Sequence, residues 1–153
     1  MTLRIAIVVQ GRFHAFDLAR ALLQRGHHVT VFTNYPRSVA VRFGLPASAV
    51  RSYVGHFVAE RAVGAAAWPT LSRGWEPISH QAFGRWAARQ LARESWDVIH
   101  CWSGISDELL RMPIAERAPT LLMRGSSHID CSGGCSTRSP SASRRSWIGQ
   151  VTG

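Results

Sequence analysis

Three short stretches of this 153-residue chain gather side chains able to hold or transform a ligand. The first is Gln10-Gly11-Arg12-Phe13-His14. A glycine between a strand and a helix lets a ligand approach the backbone closely, and the free N–H groups of a helix start attract anions. Arg12 adds a bidentate donor for phosphate or carboxylate, and His14 could hydrogen-bond a ligand hydroxyl or serve as a base. The second stretch is Ser103-Gly104-Ile105-Ser106. The third, Arg124-Gly125-Ser126-Ser127-His128, offers a cation, two hydroxyls and an imidazole, an inventory suited to a polyhydroxylated or phosphorylated ligand. The substrate- and phosphate-binding candidates are therefore Gly11, Arg12, His14, Ser103, Gly104, Arg124, Ser126, Ser127 and His128. Each also has a plainer reading, since any strand-to-helix turn can hold a glycine and polar loops are common.

No catalytic residue follows from these patterns. Ser127 and His128 are sequence neighbours, which rarely face one another, and no acidic residue is placed to orient the imidazole. His128 with Cys131 and Cys135 is a poor zinc site, because structural zinc takes four ligands, usually with tighter pair spacing. His100 reads as a satisfied core histidine, and His27 and His28 as part of a solvated turn. No metal and no cofactor is expected. A dinucleotide site is disfavoured because the chain lacks G-x-G-x-x-G, and a Walker A loop would need a lysine.

The elements that must position these groups are legible along residues 1–130. Arg4 to Val9 is a continuous apolar run, as in a strand buried on both faces of a parallel sheet. Phe13 to Arg25 reads as a helix with Phe16, Ala19, Leu22 and Leu23 on one face and Gly26 just past its end. His28 to Thr33 is a second strand, and the three elements together form a βαβ unit. Val50 to Val54 is a candidate third strand, and Val58 to Trp68 an alanine-rich helix ended by Pro69. Ile78 to Ser95 predicts a helix whose stripe is Ile78, Ala82, Phe83, Trp86, Ala87 and Leu91. Asp97 to Trp102 is a buried strand, Ser106 a cap for a short acidic-started helix, and Pro119 to Arg124 a last strand. The fold class expected is α/β: an open, Rossmann-like parallel sheet with helices on both faces. Ligands of such sheets sit outside the carboxyl ends of the strands, and that rule selects the three stretches named above.

Composition narrows the function classes. All 18 basic residues are arginines, against 9 acidic ones, for a formal charge of +9. They are scattered rather than clustered, so nucleic-acid binding is not the favoured reading, although a basic anion- or nucleic-acid-binding module stays as an alternative. A nucleotide-binding enzyme of the reductase or epimerase kind is another, weakened because the second strand ends Thr33-Asn34 rather than in an acid. No run approaches the ~20 apolar residues of a membrane span, and Met1 to Val9 does not look like a signal peptide. A cytoplasmic location, free or peripheral to the inner membrane, is the expectation. Residues 131–153 differ in texture: Ser and Gly fill 10 of the 23 positions, which predicts a disordered tail or a frameshifted end.

Three segments resemble the start of retaining GT-B glycosyltransferases of the family-four type. "ALLQRGHHVTVFT" is similar to that family's L-x-x-x-G-H-x-V-x-V-x-T pattern, "WDVIHCWSG" to its D-V-I-H-x-H strand and loop, and "TLLMRGSSHI" to its next strand. The resemblance covers residues 3–129. It implies the N-terminal, acceptor-side domain of a two-domain enzyme, here incomplete. The C-terminal domain would bind the nucleotide-sugar, and transfer would occur in the cleft between the two. By the same resemblance Gly11 would lie near the donor phosphates, His14 would face the cleft, and Ser103, Gly104 and His128 would line the acceptor side. Trp102 stands where the family pattern has a second histidine, and the first loop has one glycine rather than two. Because no donor domain follows, the chain alone is expected to be inactive, with a missing C-terminal domain as its partner.

Overall fold

The computed structural model describes residues 1–66, 69–111, 113 and 118–123, without the side chains of residues 66 and 69–73. Five strands carry it: β1 (Arg4–Val9), β2 (His28–Thr33), β3 (Val50–Ser52), β4 (Val98–Trp102) and β5 (Thr120–Met123). All pairings are parallel, and the order across the sheet is β3-β2-β1-β4-β5. This is the open α/β arrangement the alternating pattern predicts. The strand order reverses between β1 and β4, and in sheets of this kind the reversal opens a crevice at the carboxyl rim.

The pleat sorts β1 onto two cores. Ile5, Ile7 and Val9 point to one face, where they meet Ala15, Phe16 and Ala19 of α1 (Ala15–Gln24) and Ala40 of α2 (Arg37–Arg42). Ala6 and Val8 point to the other, against Phe83, Ala87, Ala88 and Leu91 of α4 (Pro69–Leu91) and Leu109 of α5 (Asp107–Leu110). A strand buried on both faces must be apolar at every position, which is why Arg4–Val9 reads as a continuous run. α1 ends as expected: Gly26 takes φ +82°, its N–H donates to the Leu23 carbonyl at 3.0 Å, and the His27 N–H donates to Leu22 at 3.2 Å.

The structure corrects several boundaries. α1 begins at Ala15, not Phe13, because Phe13 holds φ +38° and so cannot continue a right-handed helix. α3 spans Val54–Ala66, starting four residues before the alanine-rich run. α4 begins at Pro69 and runs through Pro77, which costs one backbone bond but does not end the helix. Its buried face is Ser79, Phe83, Ala87, Ala88 and Leu91; Ile78 is 59% exposed and Ala82 is also exposed, a quarter-turn off the expected stripe. Ser106 precedes α5 but does not cap it with its side chain, since its hydroxyl donates to the Ser103 carbonyl at 3.0 Å. The strand before α5 is buried as predicted. The expected tail, 131–153, lies outside the described residues.

Candidate functional site

The carboxyl rim of the sheet is built around a partly buried polar network. Gln10 follows β1, Asn34 follows β2, and His56 and Glu60 sit one turn apart on α3, facing Ser79 of α4. Three donors converge on the Glu60 carboxylate. Gln10 Nε2 reaches Oε1 at 2.6 Å, the Ser79 hydroxyl reaches the same oxygen at 2.6 Å, and Asn34 Nδ2 reaches Oε2 at 2.6 Å. His56 Nε2 lies 2.9 Å from the Ser79 carbonyl oxygen and 3.0 Å from its hydroxyl. His56 Nδ1 has no hydrogen-bond partner and stands 3.8 Å from Glu60 Oε2.

The same network holds the first crossover loop. Asn34 Oδ1 accepts the Gly11 N–H at 2.8 Å, and the Thr33 hydroxyl donates to the Gly11 carbonyl at 3.0 Å. The Gly11 peptide is thus fixed at both ends, with φ +95°, a conformation that favours glycine. Two residues on, Phe13 adopts φ +38° and stacks on Trp102 at the end of β4, with ring centroids 6.5 Å apart. The loops after β1 and β4 therefore meet across the strand-order reversal.

Two cavities open there. One, of about 360 Å³, is lined by Gln10, Gly11, Phe13, Asn34, Tyr35, Phe57, Glu60, Arg61 and His80. The other, of about 460 Å³, lies between α4 and α5 and includes His80, Gly104, Glu76, Asp107 and Glu108. His80 borders both, and a Cβ at Gly104 would sit 3.4 Å from its ring. A smaller cavity of about 170 Å³ shares Gln10, Glu60 and His80 with the first.

The sequence-selected residues divide accordingly. Gly11 and Gly104 fall in the cavity walls, on either side of His80. The Gly11 N–H, however, is occupied by Asn34 rather than open to an anion. The Arg12 guanidinium lies 3.9 Å over the Phe43 ring, and neither it nor the exposed His14 borders these cavities. Ser103 is exposed, its carbonyl engaged by Ser106. Arg124, Ser126, Ser127 and His128 lie outside the described residues. His100 is buried, but it is not the satisfied core histidine expected: its Nδ1 lacks a partner, and burial holds its pKa below the ordinary value. Burial also pushes the Cys101 thiol up to about 11, which keeps it protonated and unreactive at neutral pH.

Sequence reading overlooked Asn34, His56, Glu60, Ser79 and His80. Two signals were present. Asn34 ends β2, so the rule that selected the loops after β1 and β4 applies to it equally. His56 and Glu60 are spaced i, i+4 on a helix, which places them on one face. Ser79 and His80 carried no signal, since only the packing of α4 against α3 brings them to the rim.

Comparison with known proteins decides the relationship: residues 12–123, about three-quarters of the chain, match the family Glycosyltransferase Family 4. The chain belongs to Glycosyltransferase Family 4. No curated protein and no solved structure matches it. The Family 4 match takes in most of the site, from Arg12 through Asn34, Glu60, His80 and Gly104 to β5, while Gln10 and Gly11 lie just before it. As a Family 4 member the chain is a glycosyltransferase, which implies a sugar donor and an acceptor in general terms. Among the described residues of this Family 4 chain, no helix is long and apolar enough to cross a membrane. No group of three or more His, Cys, Asp or Glu gathers to hold a metal ion among them either.

Proposed function

We propose that this chain is the acceptor-side, GT-B-type half of a transferase that moves a sugar from a nucleotide-sugar donor to an acceptor. The unit is residues 1–130, and the chain is cytoplasmic. The family match over 12–123 carries the reading, supported by the cavities at the strand-order reversal. In this reading Gly11, in the loop after β1, lies near the donor phosphates, His14 faces the cleft, and Arg12 stays a candidate for binding phosphate. By the same resemblance Ser103, Gly104 and His128 would line the acceptor side, and Arg124, Ser126 and Ser127 stay candidates for a polyhydroxylated or phosphorylated ligand.

Transfer needs the donor's leaving group and the acceptor's hydroxyl held in line, with charge stabilised as the glycosidic bond breaks. The described residues offer groups for one side of that arrangement. Glu60, Gln10 and His80 can hold hydroxyls, and the exposed Arg61 supplies a cation in the same wall. In this reading a nucleotide-sugar-binding domain supplies the other side, whose groups are not among the described residues, so residues 1–130 by themselves are expected not to turn over.

Two linked measurements test this. Purified chain incubated with uridine- and guanosine-diphosphate sugars and candidate acceptors should release no nucleoside diphosphate above blank. Adding a separately produced donor-binding domain from a family member should produce acceptor-dependent release. Turnover by the chain alone would overturn the inactivity, and no release from any mixture would overturn the transferase half.

A further inference from the structure

We infer that the free edge of β5 is an interface between two copies of this chain, paired antiparallel about a two-fold axis at Leu122, so that two five-stranded sheets become one. The inference does not depend on the transferase reading, because it rests on an edge of the sheet and not on the carboxyl rim.

The two edges of the sheet are built differently. β3 spans three residues, carries the exposed Arg51 at its centre and buries Val50. A short edge strand with a charge on it discourages pairing with another chain. β5, Thr120–Met123, carries no charge, no proline and no glycine. Its Leu121, Leu122 and Met123 are 56%, 51% and 41% exposed. The register with β4 sets Leu121 and Met123 beside His100 and Trp102 on the α1 face, and Leu122 beside Cys101 on the α4 face. A strand of a parallel sheet is apolar on both faces because both are covered. β5 has that composition, yet on each face its apolar side chains stand half in water.

The backbone selects the register. The Ile99 N–H donates to the Pro119 carbonyl at 2.9 Å, so every second residue from Pro119 turns its backbone groups toward β4. Thr120 and Leu122 turn theirs outward, and among the described residues β5 pairs only with β4. An axis at Leu122 sets that residue opposite its own symmetry mate, where the two exchange both N–H···O=C bonds. The same register sets Leu121 opposite the partner's Met123, so apolar side chains meet apolar ones on both faces. No charged side chain of β5 enters the contact, although the chain as a whole carries a formal +9. A helix laid on one face would leave the outward N–H and C=O groups unpaired. A strand satisfies them, and the run Leu-Leu-Met complements itself, so a second copy is the occupant that this edge fits.

The contact is small, so the dimer is a weak one, with a dissociation constant of about 100 μM. Sedimentation velocity on the full chain, from well below to well above that concentration, should show monomer and dimer and nothing larger, because two-fold pairing uses up the edge. Added salt should leave the dimer unchanged or strengthen it, since the net charge opposes association and no ion pair of β5 holds it. Leu122→Lys sets like charges opposite each other at the axis and should weaken the dimer by about tenfold or more. Val41→Lys, at a residue of α2 that is 45% exposed, should leave it unchanged. Circular dichroism checks that both variants are folded, and Leu121→Lys replaces Leu122→Lys if that variant unfolds. In the unaltered chain, exchange of the Leu122 amide hydrogen should slow as concentration rises. A chain still monomeric at about 1 mM would overturn the inference. So would growth beyond the dimer, weakening by salt, an equal loss from Val41→Lys, or Leu122 exchange indifferent to concentration.

Discussion

At the amino rim of the sheet, Arg4 meets Glu94 at 2.8 Å and lies over Trp96, while the Asp97 carboxylate accepts the Arg4 N–H at 2.7 Å. At the carboxyl rim, Glu60, itself 29% exposed, gathers the half-buried Gln10 and the buried Asn34 and Ser79. Both rims tie strand ends to neighbouring helices and loops. They do so at different cost. Arg4 and Glu94 are 46% and 38% exposed, so water and salt share their attraction. The Glu60 partners are largely removed from water, where an unmade bond is expensive. The amino rim also has a cavity of about 450 Å³, as large as those opposite, lined by Arg4, His28, Pro46 and Trp96 among others. What distinguishes the carboxyl rim is thus not volume. It is buried polarity and strained backbone together, the combination found where a fold holds groups ready for a ligand.

The difference should appear first in Glu60→Ala. Removing the shared acceptor strands three donors, and the loss should be about 3 kcal/mol in denaturant unfolding. A loss near zero would mean that the carboxyl rim is no more tightly bound than the amino one. Gly11→Ala comes next. Forcing an alanine to φ +95° should cost about 1–2 kcal/mol by the same measurement, even though its Cβ would meet only the Phe13 ring, at 3.6 Å. The smallest effect belongs to the opposite rim. Arg4→Ala should cost less than about 1 kcal/mol, and the difference should shrink further in high salt. A large, salt-insensitive loss there would erase the contrast.

Strand periodicity made the scaffold legible. β1 and β2 fall at Arg4–Val9 and His28–Thr33, as their apolar runs imply, because burial on two faces leaves an unmistakable local signature. α4 was harder. The helix expected from Ile78 begins at Pro69 instead and runs through Pro77, and Ile78 carries an apolar side chain to the exposed side. Of the residues that local rules selected, Gly11 and Gly104 border the rim cavities. Glu60, Ser79 and His80 are brought to the rim by α3 and α4 docking together, a contact between segments that share no sequence pattern.

Phe13 is the one non-glycine residue with positive φ among the described residues, and its ring is mostly in water. A bulky side chain there sits about 1–2 kcal/mol above its relaxed form. Asn34 and Thr33 fix the Gly11 peptide two residues upstream. The first crossover therefore holds an exposed ring against Trp102 at a backbone cost that the rest of the fold must offset.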